Sequence, residues 1–257
     1  MKNLKGKIVF ITGATSGIGK ASAYKYAELG ASLILAARRT DRLKNISQDL
    51  KSVFNIKVNE IEMDVRNYEE VMKKISGFTE EWKNIDILVN NAGLARGLSK
   101  IQDGSAEDWN EMIDTNVKGL LYVSKCVIPL MMKNKSGHII NIGSIAGREV
   151  YPMGNVYCAT KHAVDAITKS MRMELLGTGI KVTTIDPGLV ETEFSIVRYR
   201  GDSEKAKSAY AGLIPLTPEE IAEAVIFAST RNDNFVVAEI VLMPLAQGGT
   251  RDIVRNN

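Results

Sequence analysis

The chain has 257 residues, 45% hydrophobic and 25% charged, with a net charge of +3. That length buries one sizeable core, and the balance excludes a disordered chain, a fibrous repeat or a basic nucleic-acid binder. Cys126 and Cys158 lie far apart with no C-x-x-C spacing, and His138 and His162 cannot furnish a metal site unaided, so no disulfide and no structural metal are expected.

In chain order the first apolar run is "KIVFITG", residues 7–13. It is too short for a signal-peptide core, and nothing later approaches the roughly 20 apolar residues of a membrane span; a cytoplasmic location without a membrane partner is expected. "ITGATSGIGK" follows, with Gly13, Gly17 and Gly19 where a phosphate-cradling turn needs residues without a Cβ. Joined to a helix, such a turn offers a pyrophosphate its N–H groups and the positive end of a dipole. That helix is expected over Lys20 to Leu29, and a second strand over "SLILAAR", residues 32–38. An acidic residue after this strand would bond the ribose 2′-hydroxyl of NAD. Arg38 and Arg39 stand there instead and suit the 2′-phosphate of NADP, the other reading being two solvated loop arginines.

"KVNEIEMDV" (57–65) and "DILVNNAG" (86–93) read as strands three and four. Ser105, three residues before Asp108, signals a helix start, and a long helix is expected from Asp108 to Met132. "HIINIGS" (138–144) is the fifth strand. "NVYCATKHAV" (155–164) then places Tyr157 and Lys161 four apart on one helix face, so that both can enter one cleft. Of the eight tyrosines only Tyr157 has a lysine at that offset. Taken alone, the pair is either an exposed helix pair or an acid with the cation that tunes it. Cys158 and His162 fall on other faces of the helix and read as packing residues.

"KVTTIDPG" (181–188) is the sixth strand, and the irregular stretch from Leu189 to Leu216 is placed to cover the crevice beyond it. Thr217, Pro218 and Glu220 form a capping box with proline at the first helical position, and "EIVLMP" (239–244) is the last strand. Short apolar strands alternating with amphipathic helices predict an α/β fold: a single-domain, doubly wound Rossmann-type parallel sheet of about seven strands with helices on both faces. Residues 1–257 are one dinucleotide-binding and catalytic domain in this reading, and residues 189–216 are its substrate-covering segment.

"TGATSGIG", "MDV", "NNAG", "DTNVKG", "NIGSIAG", "YCATK" and "DPG", in order and each at a strand end or on the helix beside it, together resemble the short-chain dehydrogenase/reductase family from Lys7 to about Gln247. The resemblance implies an oxidoreductase that passes a hydride between a nicotinamide and a carbonyl or alcohol carbon. By it, Tyr157 is the general acid/base, Ser144 bonds the substrate oxygen, Lys161 holds the nicotinamide ribose and Asn116 supports a proton relay. The cofactor positions it implies are Gly13, Thr15, Ser16, Gly17, Ile18, Gly19, Arg38, Arg39, Asp64, Val65, Asn91, Ala92, Gly93, Pro187, Gly188, Val190 and Thr192, with Tyr157 and Lys161. A tyrosine working near neutrality needs its pKa lowered by roughly 3 units, about 4 kcal/mol, which one ammonium at about 4 Å can supply.

Within the family, "DPGLVETEFSIVRYRGD" and the ending "EIVLMPLAQ" are similar to the NADP-dependent 3-hydroxy acid dehydrogenases, which include serine and L-allo-threonine dehydrogenases. A generic ketone or 3-oxoacyl reductase is the alternative, although Met243-Pro244 replaces the aspartate and paired glycines usual in the 3-oxoacyl enzymes; a non-catalytic NADP-binding regulator is more remote. The resemblance also implies a homotetramer, assembled through long helices at 108–132 and 157–176. A small acid needs a cation or N–H groups for its anionic end. Arg198, Arg200 and Arg148 are candidates, against a reading as solvated loop charges or subunit contacts.

Overall fold

Helices cover both faces of the sheet, which is why its central strands are apolar throughout. The computed structural model describes residues 3–256. Its strands are β1 (Ile8–Thr12), β2 (Ser32–Ala37), β3 (Val58–Glu62), β4 (Ile85–Asn90), β5 (Gly137–Ile142), β6 (Ile180–Pro187) and β7 (Glu239–Leu242). All pair in parallel, in the order β3-β2-β1-β4-β5-β6-β7. The helices are α1 (Gly17–Glu28), α2 (Thr40–Phe54), α3 (Tyr68–Ser76), α4 (Glu80–Lys83), α5 (Ala106–Ile113), α6 (Leu120–Asn134), α7 (Asn155–Glu174), α8 (Glu193–Arg198), α9 (Ser203–Ser208) and α10 (Pro218–Ser229). Among the described residues no helix is long and apolar enough to cross a membrane.

Side chains alternate across the strands, so each strand feeds two cores. Val9, Ile11, Leu33, Leu35 and Ile185 pack with Ala23 and Ala27 of α1, Leu50 of α2 and Ile221 and Val225 of α10. Phe10, Ile34, Leu88, Ile139 and Val182 pack on the other side with Val71 of α3, Val123 and Val127 of α6 and Val164 of α7. Each such aliphatic side chain contributes about 1.5–3 kcal/mol by leaving water.

The order of strands reverses direction at β1, where the chain runs outward to β2 and β3 and then returns to β4 on the other side. Two diverging loops open a crevice beyond the carboxyl ends of β1 and β4, the usual ligand position in such sheets. Thr12 fixes its floor: its hydroxyl accepts from the Asn91 and Ala92 amides at 3.1 and 3.0 Å, while Asn91 Nδ2 donates to the carbonyls of Thr12 and Gly13.

Three expectations shift. α1 begins at Gly17, inside the glycine turn, and not at Lys20. The helix expected from Asp108 to Met132 is α5, a π-helical turn at Asp114–Gly119, and α6. The irregular stretch from 189 to 216 holds the short helices α8 and α9.

Candidate active site

The glycine turn is built so that backbone can come close to a ligand. Gly13 has φ +65°, and a Cβ there would lie 2.9 Å from Asn91 Nδ2; one on Gly19 would lie 2.5 Å from the Gly13 carbonyl oxygen. No larger residue fits either place. Ser16 is the N-cap of α1, yet its hydroxyl makes no capping bond to the helix and accepts instead from Arg39 Nη2 at 2.8 Å. The first N–H groups of α1 therefore keep their capacity for an anion.

The two arginines after β2 diverge. Arg39 also reaches Thr15 Oγ1 and gives Nη1 to Glu193 Oε2 at 2.7 Å; Arg42 gives Nη1 to Glu193 Oε1 at 2.5 Å. Burial would raise the Glu193 carboxyl, but these guanidiniums hold it below its ordinary range. Arg38 turns the other way, with Nη1 4.0 Å from Asp64 Oδ2. Asp64 is itself gripped by Arg66 through Nε and Nη2, which outweighs its burial and keeps it ionised.

Ser144, Tyr157 and Lys161 line the same cleft, whose volume is about 900 Å³. Ser144 sits just beyond β5; its hydroxyl accepts from the Ala146 amide and donates to the Pro187 carbonyl at 3.4 Å. Lys161 is nearly buried, and its ammonium donates to the Ile142 carbonyl at 2.9 Å. Every predicted site residue except Gly19 and Asn116 lines the cleft. Asn116 lies behind it. Its amide accepts from Leu94 N and donates to Leu94 O, both at 2.8 Å, and to Thr160 Oγ1 at 3.0 Å, so the π turn carrying it clamps the loop after β4 to α7.

The protein groups around Tyr157 do not by themselves lower its phenol. Burial pushes its phenol well above the ordinary range and Tyr151 adds to this, while Arg198 and a hydrogen bond from Ser144 pull it back. Lys161 Nζ lies 6.0 Å from the ring centroid and is turned to Ile142. The near cation is Arg198, whose guanidinium carbon lies 5.2 Å from the Tyr157 ring centroid.

The short chain dehydrogenase family profile matches residues 7–201. The chain belongs to this family. A 3-hydroxy acid dehydrogenase of Schizosaccharomyces pombe, named as NADP-dependent, is 43% identical to this dehydrogenase, over 99% of both chains. Sulfoacetaldehyde reductase 2 of Chromohalobacter salexigens is 40% identical, covering 93% of this chain and 95% of its own. The closed form of a serine dehydrogenase complexed with NADP+ superposes with a TM-score of 0.90 at 42% identity, over 97% of this chain and 100% of its own.

Sequence reasoning missed several residues of the dehydrogenase's cleft. Glu193 lines the cleft and is held from outside the lining by Arg42, 151 positions away, a pair that meets only in the fold. Tyr151 and Phe194 flank Tyr157 with no spacing to signal it. Of the three arginines considered for an acid group, Arg148 is bound to Asp186 and Glu239 outside the cleft lining, and Arg200 is paired with Asp108. Cys158 is buried as expected, but His162 is exposed, its Nδ1 bonded to the Cys158 carbonyl, because the helix turns that position to solvent.

Proposed function

We propose that the dehydrogenase transfers a hydride between NADP and the hydroxyl-bearing carbon of a small 3-hydroxy acid or 3-hydroxy amino acid, of the serine, L-allo-threonine or 3-hydroxypropionate type. The observation that carries this reading is the meeting of Ser144, Tyr157 and Lys161 in one cleft with Arg39 and Ser16. The names of the relatives agree in chemistry: a 3-hydroxy acid and sulfoacetaldehyde both carry an anionic group one carbon from the oxidisable one.

The residues fit the cofactor. The glycine turn and the α1 N-terminus suit its pyrophosphate, Arg39, Ser16 and Arg38 its 2′-phosphate, Asp64 and Val65 its adenine end, and Lys161 its nicotinamide ribose. When bound, NADP supplies the carbon that gives or takes the hydride. Ser144 Oγ bonds the substrate oxygen, and Tyr157 exchanges the proton at that oxygen. With the phenol raised by burial, Tyr157 is protonated at neutral pH and ready to donate, which favours carbonyl reduction; alcohol oxidation needs the phenolate and gains from rising pH. Asn116 holds α7 against the β4 loop, and so fixes the helix that carries Tyr157 and Lys161.

Replacing Tyr157 with Phe keeps the ring and removes the proton. Turnover should fall by about 10²-fold or more while NADPH still binds. A variant that keeps a tenth of wild-type kcat overturns the role, and rates on serine, L-allo-threonine, 3-hydroxypropionate and simple ketones test the substrate class.

The proposal includes a cytoplasmic homotetramer. Apolar side chains left exposed on the helices and the last strand support the assembly: Leu121 and Met132 of α6, Met173 of α7, Phe227 of α10, Val241 of β7 and Leu245. A light-scattering mass of four chains is the expected result; a monomer contradicts it.

A further inference from the structure

Most arginines in and around the cleft are already matched by a carboxylate, and Arg255 gives its guanidinium to the Ala209 and Ala211 carbonyls. Arg38 faces Asp64, Arg39 faces Glu193, Arg96 faces Glu111, Arg148 faces Asp186 and Glu239, and Arg200 faces Asp108. Arg198, the last residue of α8, has no carboxylate within ion-pair reach among the described residues. Its Nη2 donates to Tyr151 Oη at 2.5 Å, and its Nε is shut off from solvent with no hydrogen-bond partner. The guanidinium is surrounded by the rings of Tyr151, Tyr157 and Phe194, with centroids at 5.7, 5.2 and 5.7 Å.

A half-buried cation without a counter-ion is costly, and buried donors are nearly always satisfied. The aromatic cage holds the plane of the guanidinium but leaves its fork of N–H donors underused. We propose that Arg198 is the anchor for the anionic end of the substrate. A carboxylate or sulfonate entering the cleft supplies acceptors for the Nη1 and Nη2 hydrogens that Tyr151 leaves unused, in the end-on pair a guanidinium favours. The anchor also lies against the Tyr157 ring, so an acid held there has its nearby hydroxyl carbon close to the phenol that exchanges the proton. The inference rests on the proposed reading of the substrate as a small acid, and it adds the residue that makes the site acid-specific.

The test compares 3-hydroxypropionate with its uncharged counterpart 1,3-propanediol, each with NADP+, in wild type, Arg198→Met and Arg198→Lys. In Arg198→Met the KM for the acid should rise at least tenfold, and kcat/KM for the acid should fall at least tenfold more than for the diol. Arg198→Lys should recover part of that selective loss, since it restores charge without the fork. Equal losses on the two substrates overturn the proposal, because they indicate that Arg198 only supports Tyr157 or the packing of α8. A second arm titrates 3-hydroxypropionate into NADPH-loaded enzyme, which cannot turn it over, and follows cofactor fluorescence. If wild type binds the acid without oxidising it, the proposed function fails for this acid while a tenfold weaker titration in Arg198→Met still upholds the anchor. Acid binding equally tight in wild type and Arg198→Met, or undetected in wild type, overturns it.

Discussion

Lys161 is 8% exposed and gives its ammonium to the Ile142 carbonyl; burial brings its pKa down to about 8, with Asp186 pulling the other way. An unfolded lysine titrates near 10.4, so between about pH 8 and pH 10.4 the unfolded chain binds the proton and the folded chain does not. The sign follows: the folded state is penalised in full below about pH 8, and the penalty is lifted as pH rises toward 10.4. Replacing Lys161 with Met removes this titration. The melting temperature of Lys161→Met relative to wild type should be highest near neutrality and decline between pH 8 and 10. A constant difference across that window contradicts the burial cost assigned to this ammonium. Tyr157 works in the opposite sense, its raised phenol withdrawing stability only above pH 10, which is why the comparison stops there.

At the scale of elements, α10 shows how much a local pattern can specify. Thr217 Oγ1 accepts from the Glu220 amide at 3.2 Å, Glu220 Oε2 accepts from the Thr217 amide at 2.7 Å, and Pro218 opens the helix. Losing such a cap costs about 1 kcal/mol. For a chain of this size, Thr217→Ala should lower the melting temperature by about 2–4 °C and leave kcat unchanged. An unaltered melting temperature means the cap is not limiting for α10. The cap was legible in the sequence because all its groups lie within four residues, and the strands and glycine turn were legible for the same local reason. The π turn at Asp114–Gly119 was not: the pattern from 108 to 132 reads as one regular helix, and the extra residue is accommodated because Asn116 bonds Leu94, 22 positions away. Arg38 and Arg39 were legible as a pair, but their divergence toward Asp64 and Ser16 depends on partners brought by other strands. The cage around Arg198 joins residues from 151 to 198 and has no periodic trace at all.

For the whole molecule, the parallel order of the sheet gathers the ends of β1, β4, β5 and β6 along one edge, and the segment after β6 crosses that edge. Helix α8 is only six residues long, roughly 8 Å. Its first residue, Glu193, neutralises Arg39 and Arg42 beside the glycine turn; its last, Arg198, lies over Tyr157. If Arg39 takes the 2′-phosphate as proposed, the phosphate meets a carboxylate already in place, and uptake of NADP exchanges one anion for another at one end of this short beam. If the two ends move together, substrate affinity depends on which coenzyme is bound. Glu193→Gln removes the competing charge and the tether together: NADP should bind more tightly, while the KM for a hydroxy acid should rise. Tighter coenzyme binding with an unchanged acid KM would mean that the two ends of the beam move independently.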